Sequence, residues 1–205
     1  MTINERSFIL DIVRYKDDKK HRAICDAAIG LITANGFADT SISKIAKAAG
    51  VSPATIYVYF ENKEDLLNQL YLMIKEEKSI EMLRNLNGNL SIKEAFEKVL
   101  RNFYDYALRQ PVHFSFGEQF ANSPLVGRIS KDQGMSFYQP LFDLFERGKR
   151  ERIFKDIPLE IFSAFTFSPL MGLIKEHFSG EFTLDKKALE TALEIAWDAV
   201  TNSEQ

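Results

Sequence analysis

The chain has 205 residues, 45% apolar and 27% charged, which is the balance of a folded globular body and argues against a largely disordered polymer. Its formal charge of −3 does not by itself suggest a nucleic-acid binder, but nine Lys/Arg stand against seven Asp/Glu in residues 1–63 and 17 against 22 beyond them, so the positive excess lies at the N-terminal end. The single cysteine, Cys25, excludes an internal disulfide, and no apolar run approaches the roughly 20 residues that a bilayer demands; a reduced, cytoplasmic protein with no membrane partner is expected, with Cys25 filling a helix core.

Taken in chain order, Phe8–Val13 is apolar but is preceded by Glu5, broken by Asp11 and followed by no small-residue cleavage site, so residues 1–16 read as an arm and not a signal peptide. Ile24, Ala27, Ala28, Leu31 and Ile32 make one face of a first helix, started at Asp17-Asp18 and stopped by Asn35-Gly36. Thr40-Ser41 offers a hydroxyl cap to a short second helix carrying Ile45 and Ala46 and ending at Ala49-Gly50. Ser52 caps a third, with Pro53 at its first position, where a missing N–H costs nothing. Asn62 opens a fourth whose stripe is Leu66, Leu67, Leu70, Tyr71 and Ile74 and which runs to about Leu86.

Ser91-Ile92-Lys93-Glu94 is a capping box for a fifth helix to about Arg109, and Pro111 follows its end. Ser123-Pro124 and Gln139-Pro140 punctuate the middle, where nothing alternates like a strand. Two last helices span about Pro158–Phe178, with Pro169 expected to kink it, and Thr183–Val200, whose broad stripe of Leu189, Ala192, Leu193, Ala196, Trp197 and Val200 suggests burial on more than one side. The fold class is all-α, with no internal repeat.

The chemistry concentrates in Thr40–Lys63, two short helices around Ala49-Gly50-Val51. Small Ala46 and Ala49 permit close approach, Gly50 supplies the turn, and Ile45, Val51 and Ile56 can pack on the first helix. That leaves Pro53, Ala54, Thr55, Tyr57 and Tyr59 on an outer face that is short, nearly uncharged and able to enter a major groove, the geometry of a helix-turn-helix. Tyr57 and Tyr59 could instead pack against the first and fourth helices.

Gly36-Phe37, Thr40, Ile45-Ala46, Ala49-Gly50-Val51-Ser52, Thr55-Ile56-Tyr57, Tyr59-Phe60 and Lys63-Glu64-Asp65-Leu66-Leu67 together resemble the DNA-binding domain of the TetR family. The resemblance implies a three-helix DNA-binding domain over 17–63 and a larger helical domain over 64–205 for effector binding and dimerisation. Thr40 and Ser41 would meet phosphate at the start of the second helix, Ser52, Pro53, Ala54, Thr55 and Tyr57 would face the groove, and Tyr59 and Lys63 would hold backbone phosphates. Pro53-Ala54 departs from the small, glycine-containing pair that many members carry.

The implied partners are double-stranded operator DNA bearing a palindrome, a second copy of the chain paired through the two C-terminal helices, and a hydrophobic small-molecule effector; no cofactor is implied. Of the 17 phenylalanines, those from Phe103 to Phe182 fall in the region that the family uses for effectors. Phe103, Tyr106, Phe114, Phe116, Phe120, Tyr138, Phe142, Phe165, Phe167 and Met171 are candidates to line an apolar cavity, although each could equally fill a core. Glu118, with His113 and His177 nearby in sequence, would orient a polar or cationic ligand, since an aromatic pocket with one carboxylate suits a hydrophobic cation.

The chief alternatives are a helical-bundle enzyme and a small-molecule-binding or interaction protein that has lost operator binding. No HExxH, metal-spaced His/Cys cluster, P-loop, GxSxG or dinucleotide fingerprint is present, so no catalytic or metal residue is assigned and no enzymatic activity is expected. Thr40, Tyr59 and Lys63 argue against a fold that has lost its DNA.

Overall fold

A computed structural model describes the backbone of residues 3–121 and 128–202 and the side chains of residues 18–121 and 132–202. Every regular element among them is a helix: α1 (Ile3–Asn35), α2 (Ile42–Ala49), α3 (Pro53–Tyr59), α4 (Lys63–Met82), α5 (Ile92–Arg109), α6 (Pro111–Ala121), α7 (Arg128–Ser136), α8 (Gln139–Arg150), α9 (Leu159–Ser179) and α10 (Lys186–Val200). The Ser123-Pro124 punctuation lies outside the described residues. Two sequence expectations shift at helix ends. The backbone is helical from Ile3, so Asp17-Asp18 is not a start; acidic residues favour a first turn but are tolerated inside a helix. The fourth helix stops at Met82, because the buried Asn102 amide donates to Met82 O at 3.0 Å and Arg84 O at 2.9 Å, and Asn85 then turns left-handed at φ 60°.

Contacts divide the chain into two compact units, one of residues 1–74 with 112–132, the other of residues 75–111 with 133–205. The first is organised by apolar positions that helix periodicity stacks on one face: Ile24, Ala28 and Ile32 of α1, Ile45 and Ala46 of α2, Ile56 of α3, and Leu66, Leu67, Leu70 and Ile74 of α4. Burying each large aliphatic side chain stabilises the unit by about 2 kcal/mol. Cys25 belongs to this core, and burial, with a smaller contribution from Asp26, pushes its thiol up to about 11, so it stays protonated at neutral pH. α6 contributes Phe116 and Phe120, the latter's ring 5.0 Å from Phe37 and 5.5 Å from Tyr71.

In the second unit α5 begins with the capping box read from sequence: Glu94 N donates to Ser91 Oγ at 3.2 Å and Ser91 N to a Glu94 carboxylate oxygen at 2.9 Å. Its core is aromatic. Phe162 lies 4.8 Å from Phe145 and 4.9 Å from Phe154, ring centre to ring centre, and Trp197 lies 5.3 Å from Phe96. Pro169 sits inside α9 without ending it.

Candidate functional site

The α2–α3 pair is fixed by its caps and turn. Ser41 Oγ accepts from Lys44 N and Ser52 Oγ from Thr55 N, each satisfying an otherwise orphaned helix donor. Between the helices Gly50 takes φ 66°, a left-handed conformation, so that Val51 N reaches Ala46 O at 2.9 Å and Gly50 N reaches Lys47 O at 3.3 Å. With Ile56 fully buried, the opposite side of α3 is left outward: Pro53 and Ala54 are exposed, Tyr57 is 55% exposed and Val58 76%. This face is apolar and uncharged. Around it stand the cationic groups of α2 and the start of α4, namely exposed Lys44 and Lys47 and half-buried Lys63.

Several expected contacts are placed differently. Thr40 is buried, its hydroxyl donating to Gly36 O at 2.9 Å, so it secures the α1–α2 turn and leaves Ser41 as the exposed hydroxyl beside the first amides of α2. Thr55 is half-buried, its hydroxyl oxygen 2.9 Å from that of exposed Ser52. Of the two tyrosines, only Tyr59 departs from the outer face expected for both. Tyr57 points outward, while Tyr59, three positions from Ile56 and beside buried Phe60, is half-buried with its ring 5.5 Å from that of His21 on α1. Lys63 donates to Phe37 O at 2.6 Å, which fixes its ammonium at the start of α4.

Within the second unit a cleft of about 450 Å³ opens among α4, α5, α7, α8 and α9. Of the sequence candidates, Phe103, Tyr138, Phe142, Phe167 and Met171 line it, with Met82, Met135, Leu141, Phe145, Leu159 and Phe162. The other candidates do not. Phe116 and Phe120 belong to the core of the first unit, Phe114 and Glu118 lie on α6 of that same unit, Tyr106 is buried off the lining, and Phe165 is 57% exposed on α9. Aromatic composition cannot tell which core a phenylalanine joins, and α6 packs on Phe37 and on Tyr71 of α4 in the first unit. His113 and His177 are also absent from the lining.

Among the described residues, the charged groups of the lining are Lys75, Lys78 and Glu160. Lys75 Nζ lies 5.1 Å from the centre of the Tyr138 ring and Lys78 Nζ 5.7 Å from that of Phe103, both within the range of cation–π attraction. Glu118, the carboxylate expected from sequence, is not among the described residues of the lining. Sequence reasoning missed Val58 on α3 and Lys44, Lys47, Lys75 and Lys78. Helical spacing could have found two sets: Ala54 and Val58 are four apart, and Lys75, Lys78 and Met82 share one face of α4.

A family model described as "Bacterial regulatory proteins, tetR family" matches residues 24–70, and another described as "Tetracyclin repressor-like, C-terminal domain" matches residues 91–201. Among solved structures, a TetR family transcription regulator from Marinobacter aquaeolei VT8 is similar at a TM-score of 0.87 and 29% identity, covering 93% of this chain and 100% of that one. An uncharacterized HTH-type transcriptional regulator from Haemophilus influenzae is 22% identical over 86% of this chain and 93% of its own length. The fatty acid metabolism regulator protein of Bacillus subtilis is 52% identical over 52 residues, which span 25% of this chain and 27% of that protein.

Proposed function

The chain belongs to the TetR family of DNA-binding transcriptional regulators, and on that premise we propose that it acts in the cytoplasm as a homodimeric, ligand-responsive repressor of a palindromic operator. The observation that carries this reading is the outward face of α3, where Ala54, Tyr57 and Val58 stand clear of the core on a helix locked by its cap and by Ile56. An apolar methyl of Ala54 or Val58 suits a thymine methyl, and the Tyr57 hydroxyl can donate to or accept from a base edge or a phosphate. Ser41 with the first amides of α2, and the ammonium groups of Lys44, Lys47 and Lys63, suit the phosphates on either side.

Dimerisation is supported by α9 and α10, which leave Phe165 57% and Ile195 64% exposed, an apolar face of the kind a second copy covers. A two-fold pair would present its α3 helices to successive major grooves about 34 Å apart. An effector in the cleft then acts by preferring a conformation with the wrong spacing, and α4, which carries Lys63 at its start and Lys75 and Lys78 in the cleft lining, is the element suited to relay it. The relatives it matches are named as transcriptional regulators, in line with a role without catalysis.

Selection from random duplex DNA tests the reading: it is expected to return an inverted repeat whose half-sites lie one helical turn apart, with the protein dimeric by light scattering. On that site Lys44→Ala and Lys47→Ala should each weaken binding to all sequences and reduce the salt slope by about 1. Recovery of no common sequence, or unchanged slopes in both variants, would overturn it.

A further inference from the structure

We propose that the operator is read chiefly through the C5-methyl groups of thymines, so that T·A pairs and not G·C pairs fill the positions facing α3. This rests on the reading of α3 as the base-contacting helix and adds which base pairs it selects and by what force. The sequence of α3, Pro53–Tyr59, contains no amide, carboxylate, guanidinium or ammonium side chain. The groups that pair bidentately with guanine or adenine, or that accept from the cytosine amino group, are therefore missing from the helix. Its outward side is hydrocarbon instead: Pro53 and Ala54 are exposed, and Val58 is 76% exposed while Ile56 is fully buried.

The choice between base pairs follows from desolvation. Every pair offers polar atoms in the major groove, but only those containing thymine also offer a methyl group. An apolar face pressed against a G·C edge strips water from guanine O6 and N7 and from the cytosine amino group and returns no hydrogen bond for it. Against T·A the methyl takes up part of the same contact, and hydrocarbon meets hydrocarbon with a gain for the water displaced. The Tyr57 hydroxyl both donates and accepts, so it can meet either kind of edge and discriminates weakly between them. The exposed Ser52 hydroxyl has the same ambivalence, and its oxygen lies 2.9 Å from that of Thr55. Ala54 and Val58 are four positions apart, about 6 Å along a helix axis, which exceeds one base step of about 3.4 Å. Two methyl contacts on different base pairs of one half-site then suit the pair.

The test titrates the full chain with an operator selected from random duplex DNA, in which thymine is replaced by uracil one half-site position at a time and then in both half-sites together. This exchange removes the methyl and leaves every hydrogen-bonding atom in place. At one or two positions uracil is expected to weaken binding about fourfold per methyl removed, and roughly 15-fold when both half-sites change. Cytosine paired with guanine at those positions should bind more weakly still, with 5-methylcytosine between cytosine and thymine. Ala54→Ser combined with Val58→Ser, both on exposed positions, should shrink the uracil penalty towards none. Uracil binding as tightly as thymine throughout a selected inverted repeat would overturn the methyl assignment while the operator reading stands, as would a penalty unchanged in the double variant. Recovery of no common sequence would overturn both. The wild-type uracil comparison decides the matter even if the substituted chain fails to fold or to bind.

Discussion

In α3 and in the aromatic cleft, structural and functional side chains are arranged in opposite ways. α3 commits one large residue, Ile56, wholly to the core and turns the next two, Tyr57 and Val58, mostly outward. Holding the helix and presenting its face are separate tasks one residue apart. In the second unit the tasks coincide: Phe145 and Phe162 line the cleft and also pack against each other and against Phe154 in the core. On the proposed reading, a short surface element can therefore change what it reads at little cost to the fold, while the cleft cannot change what it holds without repacking the unit around it.

The largest test of that difference is Phe162→Ala. It should lower stability by about 4 kcal/mol, read by chemical denaturation, and weaken ligand binding in the same variant, because one ring serves both purposes. Ligand binding lost with stability intact would separate roles that the packing joins. A smaller test concerns a side chain that serves the core alone. The Tyr106 hydroxyl is buried and meets no hydrogen-bond partner among the described residues, and burial together with Glu77 and Glu81 pushes its phenol well above the usual tyrosine range. Tyr106→Phe should raise stability by about 1 kcal/mol and leave ligand binding unaltered, since the residue is off the lining. A fall in stability would mean that the hydroxyl makes a bond not accounted for.

The same difference explains what could be read from the residues alone. Helix boundaries set by local chemistry are legible: the Ser91 capping box, the Ser52-Pro53 start of α3 and the Gly50 turn all depend on neighbours within a few positions. The end of α4 was misplaced because its cap, Asn102, arrives from α5, 20 residues beyond Met82. On α3 the outward side follows from spacing, yet spacing does not show that Tyr59 turns inward, where its ring meets His21 on α1. The cleft was less legible because five elements meet there. Phe116 and Phe120 carry the same aromatic signature as Phe103, and only tertiary packing assigns them to different units. Lys75 and Lys78 went unread because lysines beside an apolar stripe are ordinarily solvated surface.

The central claim is that the outward face of α3 reads bases while Ile56 holds the helix. It is tested most directly by titrating the selected operator and an unrelated duplex with wild type and with Tyr57→Ala combined with Val58→Ala. The account predicts that operator affinity falls by about 1–3 kcal/mol, with affinity for the unrelated duplex and the melting temperature little changed. Wild-type discrimination between the two duplexes in that variant would contradict it.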